Sequence, residues 1–245
     1  MHKFPRNVLF KTSTIAAGNM SFRFGSVPNV LKNRTQFLEK HSLSYTNCVP
    51  MICSHGDKIV PVFRHSNQKW FGPTTPKAAP KAEALITNEP NITLLLLTAD
   101  CLPTAFYDPI QNVTALAHLN RKTIAHDLGQ KTIRFMEERY GSTPKDIVVK
   151  IGPHIKKESY RFPIPLTEPT PPQLLGHTEV VAGQITIDLT SAEIEQLTAV
   201  GVMKKNISVT KIDTATSDKY FSHYRSRNDP HYPEGRMATI LAITT

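Results

Sequence analysis

Within EALITNEPNITLLLLTADCLPTAFYDPIQNVTALAHL, residues 83–119, an apolar run fills much of 91–106, with Leu94, Leu95, Leu96 and Leu97 at its centre. A continuous apolar run of this kind is expected of a central strand covered on both faces. The second run, VTALAHL at 113–119, alternates as a strand does. Asp108, Pro109, Gln111 and Asn112 lie between the two and suit a tight turn, so the runs read as a hairpin.

Outward from this hairpin, strands and helices interleave. Residues 27–40 predict a short helix with Val30, Leu31, Phe37 and Leu38 on one face, and KIVPVFR at 58–64 reads as a strand. Residues 123–140 have helical spacing through Ile124, Leu128, Ile133, Phe135 and Met136, and Gly141 stands at the stop position. A buried strand is expected at 147–151, closed by Gly152 and Pro153. The stretch 161–173 carries Pro163, Pro165, Pro169, Pro171 and Pro172 and reads as a loop. Thr190 and Glu193 have capping-box spacing for a helix running to about Val200. Further strands are expected at 207–212 and in the C-terminal MATILAITT. The pattern predicts a mixed α/β fold. Without internal repeats or a linker, one domain over 1–245 is expected.

Composition narrows the function classes. Hydrophobic residues make up 40% and charged residues 20%, ordinary for a soluble globular chain. The longest strongly apolar run, 92–98, is too short to span a bilayer, so no membrane partner is expected. MHKFPRNVLFKTSTIAAG at 1–18 lacks the apolar core of about 7 or more residues typical of a signal peptide. A cytoplasmic location is the resulting expectation. Cys48, Cys53 and Cys101 are too few and odd in number for a disulfide scaffold, and suit a reducing compartment. The formal charge of +9 attracts phosphates. No dense basic run or aromatic-basic interleaving points to nucleic acid, and small anionic substrates are favoured. Monomer and homodimer both remain open.

Three elements carry candidate chemistry. Asp100 and Cys101 stand where the first buried run ends, a common position for functional side chains in α/β folds. His118 stands near the end of the second run, so a hairpin would bring Cys101 and His118 together. His55, in SHGDKIV, precedes a strand. Alone, Cys101 reads as a small apolar core residue and His55 as a solvated loop residue. Together, two histidines and one cysteine would make a three-ligand zinc site with an open fourth position, the mark of catalytic zinc. Cys48, Cys53 and His55 form a competing local set without an obvious fourth ligand. The segment FSHYRSRNDPHYPEGR supplies Arg225, Arg227 and Arg236, whose guanidinium forks suit phosphate if the segment is more than a basic surface loop. His154 and His223 are second-rank candidates.

The collinear set of NR (33–34), HG (55–56), residues 83–103, DPIQNVTALAH (108–118), GPHI (152–155), IDL with QL and GV (187–202), FSHYRSR and EGR resembles the YfiH-type laccase-domain family. That family is also labelled polyphenol oxidase or purine nucleoside phosphorylase. The resemblance implies a mixed α+β sandwich rather than cupredoxin barrels, and zinc held by His55, Cys101 and His118. It also implies phosphorolysis of adenosine, inosine, guanosine or methylthioadenosine, with adenosine deamination as a further activity. Arg225 and Arg236 are then candidate phosphate contacts, with Lys122 a third and Asp100 a candidate proton carrier. The chain departs from the family pattern at several points. Where family members continue the metal histidine as HAGWRG, this sequence reads HLNRKT at 118–123, placing Lys122 at the arginine position. Cys53 stands at the usual glutamine, and Asp213–Thr214 at the usual Cys-Thr.

Rival classes are a cysteine hydrolase or deamidase with Cys101 as nucleophile and His118 as base, and a zinc-binding protein with little catalysis. Copper is disfavoured because none of the ten histidines forms a His-x-His pair.

Overall fold

The computed structural model describes residues 4–65, 69–72, 78–166 and 168–245. Thirteen strands are found among them. In chain order they are β1 (Val8–Thr12), β2 (Cys48–Pro50), β3 (Ile59–Pro61), β4 (Ala84–Thr87), β5 (Thr93–Thr98), β6 (Leu102–Asp108) and β7 (Val113–Leu119). They continue with β8 (Val148–Ile151), β9 (Arg161–Phe162), β10 (Thr178–Val181), β11 (Gln184–Ile187), β12 (Ile207–Val209) and β13 (Met237–Ile243). The helices are α1 (Val27–Glu39), α2 (Arg121–Ala125), α3 (Leu128–Tyr140), α4 (Leu189–Ala199) and α5 (His223–Asn228).

Two mixed sheets stack face to face, one ordered β1-β13-β5-β2 and the other β12-β8-β6-β7-β4-β3. The side-chain period of two decides which residues fill which layer. Leu94, Leu96 and Leu241 from the first sheet meet Leu85, Ala105, Tyr107 and Leu116 from the second in a buried inter-sheet core. Their neighbours Leu95, Ile240 and Ala242 turn outward against Phe37 and Leu38 of α1. On the far side, Ile86, Phe106, Ala115 and Ala117 pack against Ile133 and Met136 of α3 and Leu189 and Leu197 of α4. The result is a helix–sheet–sheet–helix sandwich, with a small third sheet, β10-β11-β9, beside it. Among the described residues no helix is long and apolar enough to cross a membrane.

The predicted run at 91–106 is two strands, one in each sheet. It breaks at Ala99, Asp100 and Cys101, where Asp100 takes φ 84°. A left-handed residue cannot continue a strand, and Asp tolerates that region better than most side chains. The Asp100 carboxylate holds the break. Oδ1 accepts from Thr214 Oγ1 at 2.6 Å and Oδ2 from the Tyr224 backbone N–H at 2.6 Å. β6 and β7 then form the expected hairpin, with Pro103 opposite His118. Its turn is an Asx turn in which Asp108 Oδ1 accepts from the N–H groups of Ile110 and Gln111.

Two helix expectations need correction. The span 123–140 divides into α2 and α3 at Asp127, which has φ 55°. α2 starts at Asn120, whose side chain accepts from the N–H groups of Lys122 and Thr123, so the sequence after His118 builds a capping box. α4 is capped by Asp188, which accepts from Ser191 N–H at 2.9 Å. Thr190 instead bonds His154 through its hydroxyl at 2.7 Å.

Glu193 faces inward, fully buried, with neither oxygen partnered among the described residues. It abuts Gly129 of α3, where any Cβ would collide with the carboxylate. Burial, aided by the Asp127 charge, lifts its carboxyl from the ordinary 4.5 to about 8. Over that window the folded state binds a proton that the unfolded chain has released, so stability falls as pH rises and levels off above about 8. Glu193→Gln is expected to remove this loss. Urea unfolding at several pH values checks it: wild type should lose several kcal/mol more than the variant across the window, and parallel curves would contradict the assignment.

Candidate metal centre

At one end of the inter-sheet layer, β4 and β7 present a polar pair where their alternation would place apolar side chains. Ala84 pairs with Ala117, so Glu83 and His118 fall opposite each other, on the face that carries Leu85 and Leu116. Their backbones are joined by His118 N–H donating to Glu83 O at 2.8 Å. Their side chains meet as well, with His118 Nδ1 2.8 Å from Glu83 Oε2. Both are almost completely buried.

Glu83 also organises the loop that carries His55. Its Oε1 accepts from the backbone N–H of Ser54 and, at 2.5 Å, from that of His55, which sits at φ 63°. The His55 and His118 rings lie 5.7 Å apart between centroids. Nδ1 of His118 is engaged by Glu83, and Cys53 and Cys101 lie close enough to act on the same imidazole. Cys53, Glu83 and His118 offer donor atoms within 4.8 Å of one another.

The electrostatics follow from this crowding. Burial would lower the His118 pKa, but the two neighbouring cysteines override it and hold the imidazole well above its ordinary value. Burial would raise Glu83, whereas the hydrogen bond from His118 and those from Ser54 and His55 hold its carboxyl below the usual range. Burial pushes the Cys53 thiol up, against the pull of His118. An imidazole and a thiol whose donor atoms lie within 4.8 Å of each other suit a borderline-soft divalent ion such as zinc. A carboxylate bonded to the far nitrogen of a ligand histidine is the usual orienting arrangement of such sites.

Two cavities adjoin the cluster. One, of about 490 Å³, is lined by Cys101, Asn120, Tyr160, Phe162, His223 and Arg227 among others. The other, of about 530 Å³, is lined by Cys53 together with Phe22, Phe24, Arg23, Arg34 and Arg236. Arg236 stacks over Phe24 at 4.5 Å, and Arg34 over Phe22 at 4.5 Å.

His55 and Cys101 both lie near His118, the His55 ring 5.7 Å from it, while among the described residues the donor atoms within 4.8 Å of one another are those of Cys53, Glu83 and His118. Asp100 lines the first cavity with both oxygens engaged, and burial raises its carboxyl despite those bonds. Arg225 donates to Asp218 at 2.8 Å and covers the Tyr232 ring at 4.3 Å. Lys122 lies on the surface, 4.0 Å from Glu168. Cys48 is buried beneath α1, apart from Cys53 and His55, and burial pushes its thiol up to about 12. His154 is buried between Gly152 O and Thr190, and burial lowers it to about 4. His223 lines the first cavity, 3.4 Å from Glu234. Sequence reading missed Glu83 as a site residue, and it valued Cys53 only in the local set with Cys48. An acidic residue directly before a buried apolar strand was the one available sign of Glu83.

A family model described as multi-copper polyphenol oxidoreductase laccase matches residues 4–244. The chain is 26% identical over 222 residues to "Purine nucleoside phosphorylase YlmD" of Bacillus subtilis, covering 88% of this chain and 77% of that protein. It is 33% identical over 170 residues to the protein of the same name from Geobacillus stearothermophilus, covering 67% of this chain and 61% of that one. The crystal structure of YlmD from Geobacillus stearothermophilus superposes with a TM-score of 0.85 at 25% identity, covering 98% of this chain and 93% of that chain.

Proposed function

The chain belongs to the multi-copper polyphenol oxidoreductase laccase family, and from that membership and the cluster at His118 we propose that it is a zinc-dependent purine nucleoside phosphorylase. The observation that supports the reading is the buried donor cluster at His118, with His55 and Cys101 near the same imidazole, beside a cavity with aromatic walls. His55, Cys101 and His118 hold the ion, and Glu83 fixes the His118 ring. Zinc bound there supplies a Lewis acid. The remaining work falls to the chain's own groups. Tyr160 and Phe162, edge to face at 4.7 Å, offer rings against which a purine packs. In the reaction a phosphate oxygen forms a bond to the ribose anomeric carbon while the bond to the purine nitrogen breaks, and the base leaves with that electron pair.

Arg236 is the best-placed phosphate contact, since it lines the cavity that reaches Cys53. Arg225 and Lys122 would have to give up partners on the surface, Asp218 and Glu168, and exposed pairs of this kind cost little to open. Arg236→Ala is expected to raise the KM for phosphate by roughly 10- to 100-fold and leave that for nucleoside nearly unchanged. Steady-state kinetics with each substrate varied in turn test this, and an unchanged phosphate KM would remove Arg236 from the site. Adenosine deamination, in which water replaces the 6-amino group, is proposed as a side activity of the same centre. A cytoplasmic location is proposed with this reading.

One observation favours a second reading. Cys101, His118 and Glu83 stand in the order nucleophile, base and orienting carboxylate of a cysteine hydrolase. Alkylation separates the two: a zinc-bound Cys101 thiolate is protected in metal-loaded protein, whereas a hydrolase nucleophile is labelled rapidly.

A further inference from the structure

We propose that Cys53 is a metal ligand beside His55, Cys101 and His118, so that the centre offers two thiols and two imidazoles to the ion. This rests on the reading that the cluster holds a divalent metal. Cys53 belongs to the group whose donor atoms lie within 4.8 Å of one another, together with His118 and Glu83. Glu83, the other member of that group, is already spent. Oε2 bonds His118 Nδ1 and Oε1 takes the N–H groups of Ser54 and His55, so the carboxylate orients donors and Cys53 is left to bind.

The backbone sets Cys53 in place from both sides. Before it, Ile52 forms a bridge to Lys81, with Ile52 N–H donating to Pro80 O at 2.9 Å and Ala82 N–H to Ile52 O at 3.1 Å. After it, the Ser54 N–H is held by Glu83. The loop therefore delivers the sulfur to the cluster without having to reorganise. With an ion bound, Cys53 would supply a second thiolate and a second negative charge, which would tighten binding, and a substrate oxygen would enter as a further donor.

Cobalt substitution reads thiolate number without reference to turnover. Co²⁺-loaded wild type is expected to show near-ultraviolet thiolate charge-transfer absorption of two-sulfur intensity, falling by half in C53S and C53A. Both variants should release zinc to a competing chelator more readily. Wild-type intensity alone distinguishes two sulfurs from one, so the test survives a variant that fails to fold. One-sulfur intensity in wild type, unchanged in C53S but lost in C101A, would overturn the proposal and leave the metal reading standing. No thiolate absorption in wild type would overturn both.

Discussion

Cys101→Ala is expected to yield a folded protein that retains little zinc against a chelator and releases no base from any purine nucleoside. Cys101 sits in the turn between β5 and β6, only partly buried, and that turn is fixed by Asp100 rather than by the thiol. Truncation at Cys101 should therefore cost the fold about 1 kcal/mol or less. The same change removes a charged donor from the ion, and the loss of affinity should exceed the roughly 10- to 100-fold typical of an orienting residue. Metal analysis after dialysis and a nucleoside assay check the two halves separately. Full zinc occupancy in Cys101→Ala would remove this residue from the ligand set.

Glu83→Gln is expected to lower zinc affinity by about 10- to 100-fold while the protein remains folded. Glu83 ties three things together: the His118 ring, the loop before β3 through the Ser54 and His55 N–H groups, and the β4–β7 backbone pair. Glutamine keeps the shape and an acceptor but loses the charge that makes His118 a strong donor. A purely structural role would lower the melting temperature and leave affinity in the remaining folded protein unchanged. Competition with a chelator, read beside a thermal melt, separates the two. Glu83→Ala goes further, because it leaves a buried imidazole and two N–H groups without their acceptor, and should destabilise by about 3–5 kcal/mol.

Local pattern made the layers legible, and pairing between distant strands hid part of the site. The alternation at 113–119 gave β7 correctly, and the turn at Asp108 gave the hairpin that brings Cys101 near His118. The continuous apolar run gave no sign of its own break, because a single residue at positive φ leaves hydrophobicity untouched. Asp127 broke the helix at 123–140 for the same reason, with no glycine or proline to announce it. Glu83 and His118 are 35 positions apart, and only the β4–β7 register makes them neighbours. At α4, Asp188 and Thr190 are both good caps two residues apart, and the competing bond from His154 to Thr190 settled which one serves. His55 entered the candidate set as a loop histidine before a strand, and the resemblance implied the same residue, though no local pattern ties it to a strand end more than 60 residues away.

The most direct test of the central claim is phosphorus NMR of zinc-loaded protein incubated with inosine and inorganic phosphate. A ribose 1-phosphate resonance is expected that grows in step with free hypoxanthine and is absent when phosphate is omitted. Inosine left intact, or hypoxanthine released at the same rate without phosphate, would contradict it.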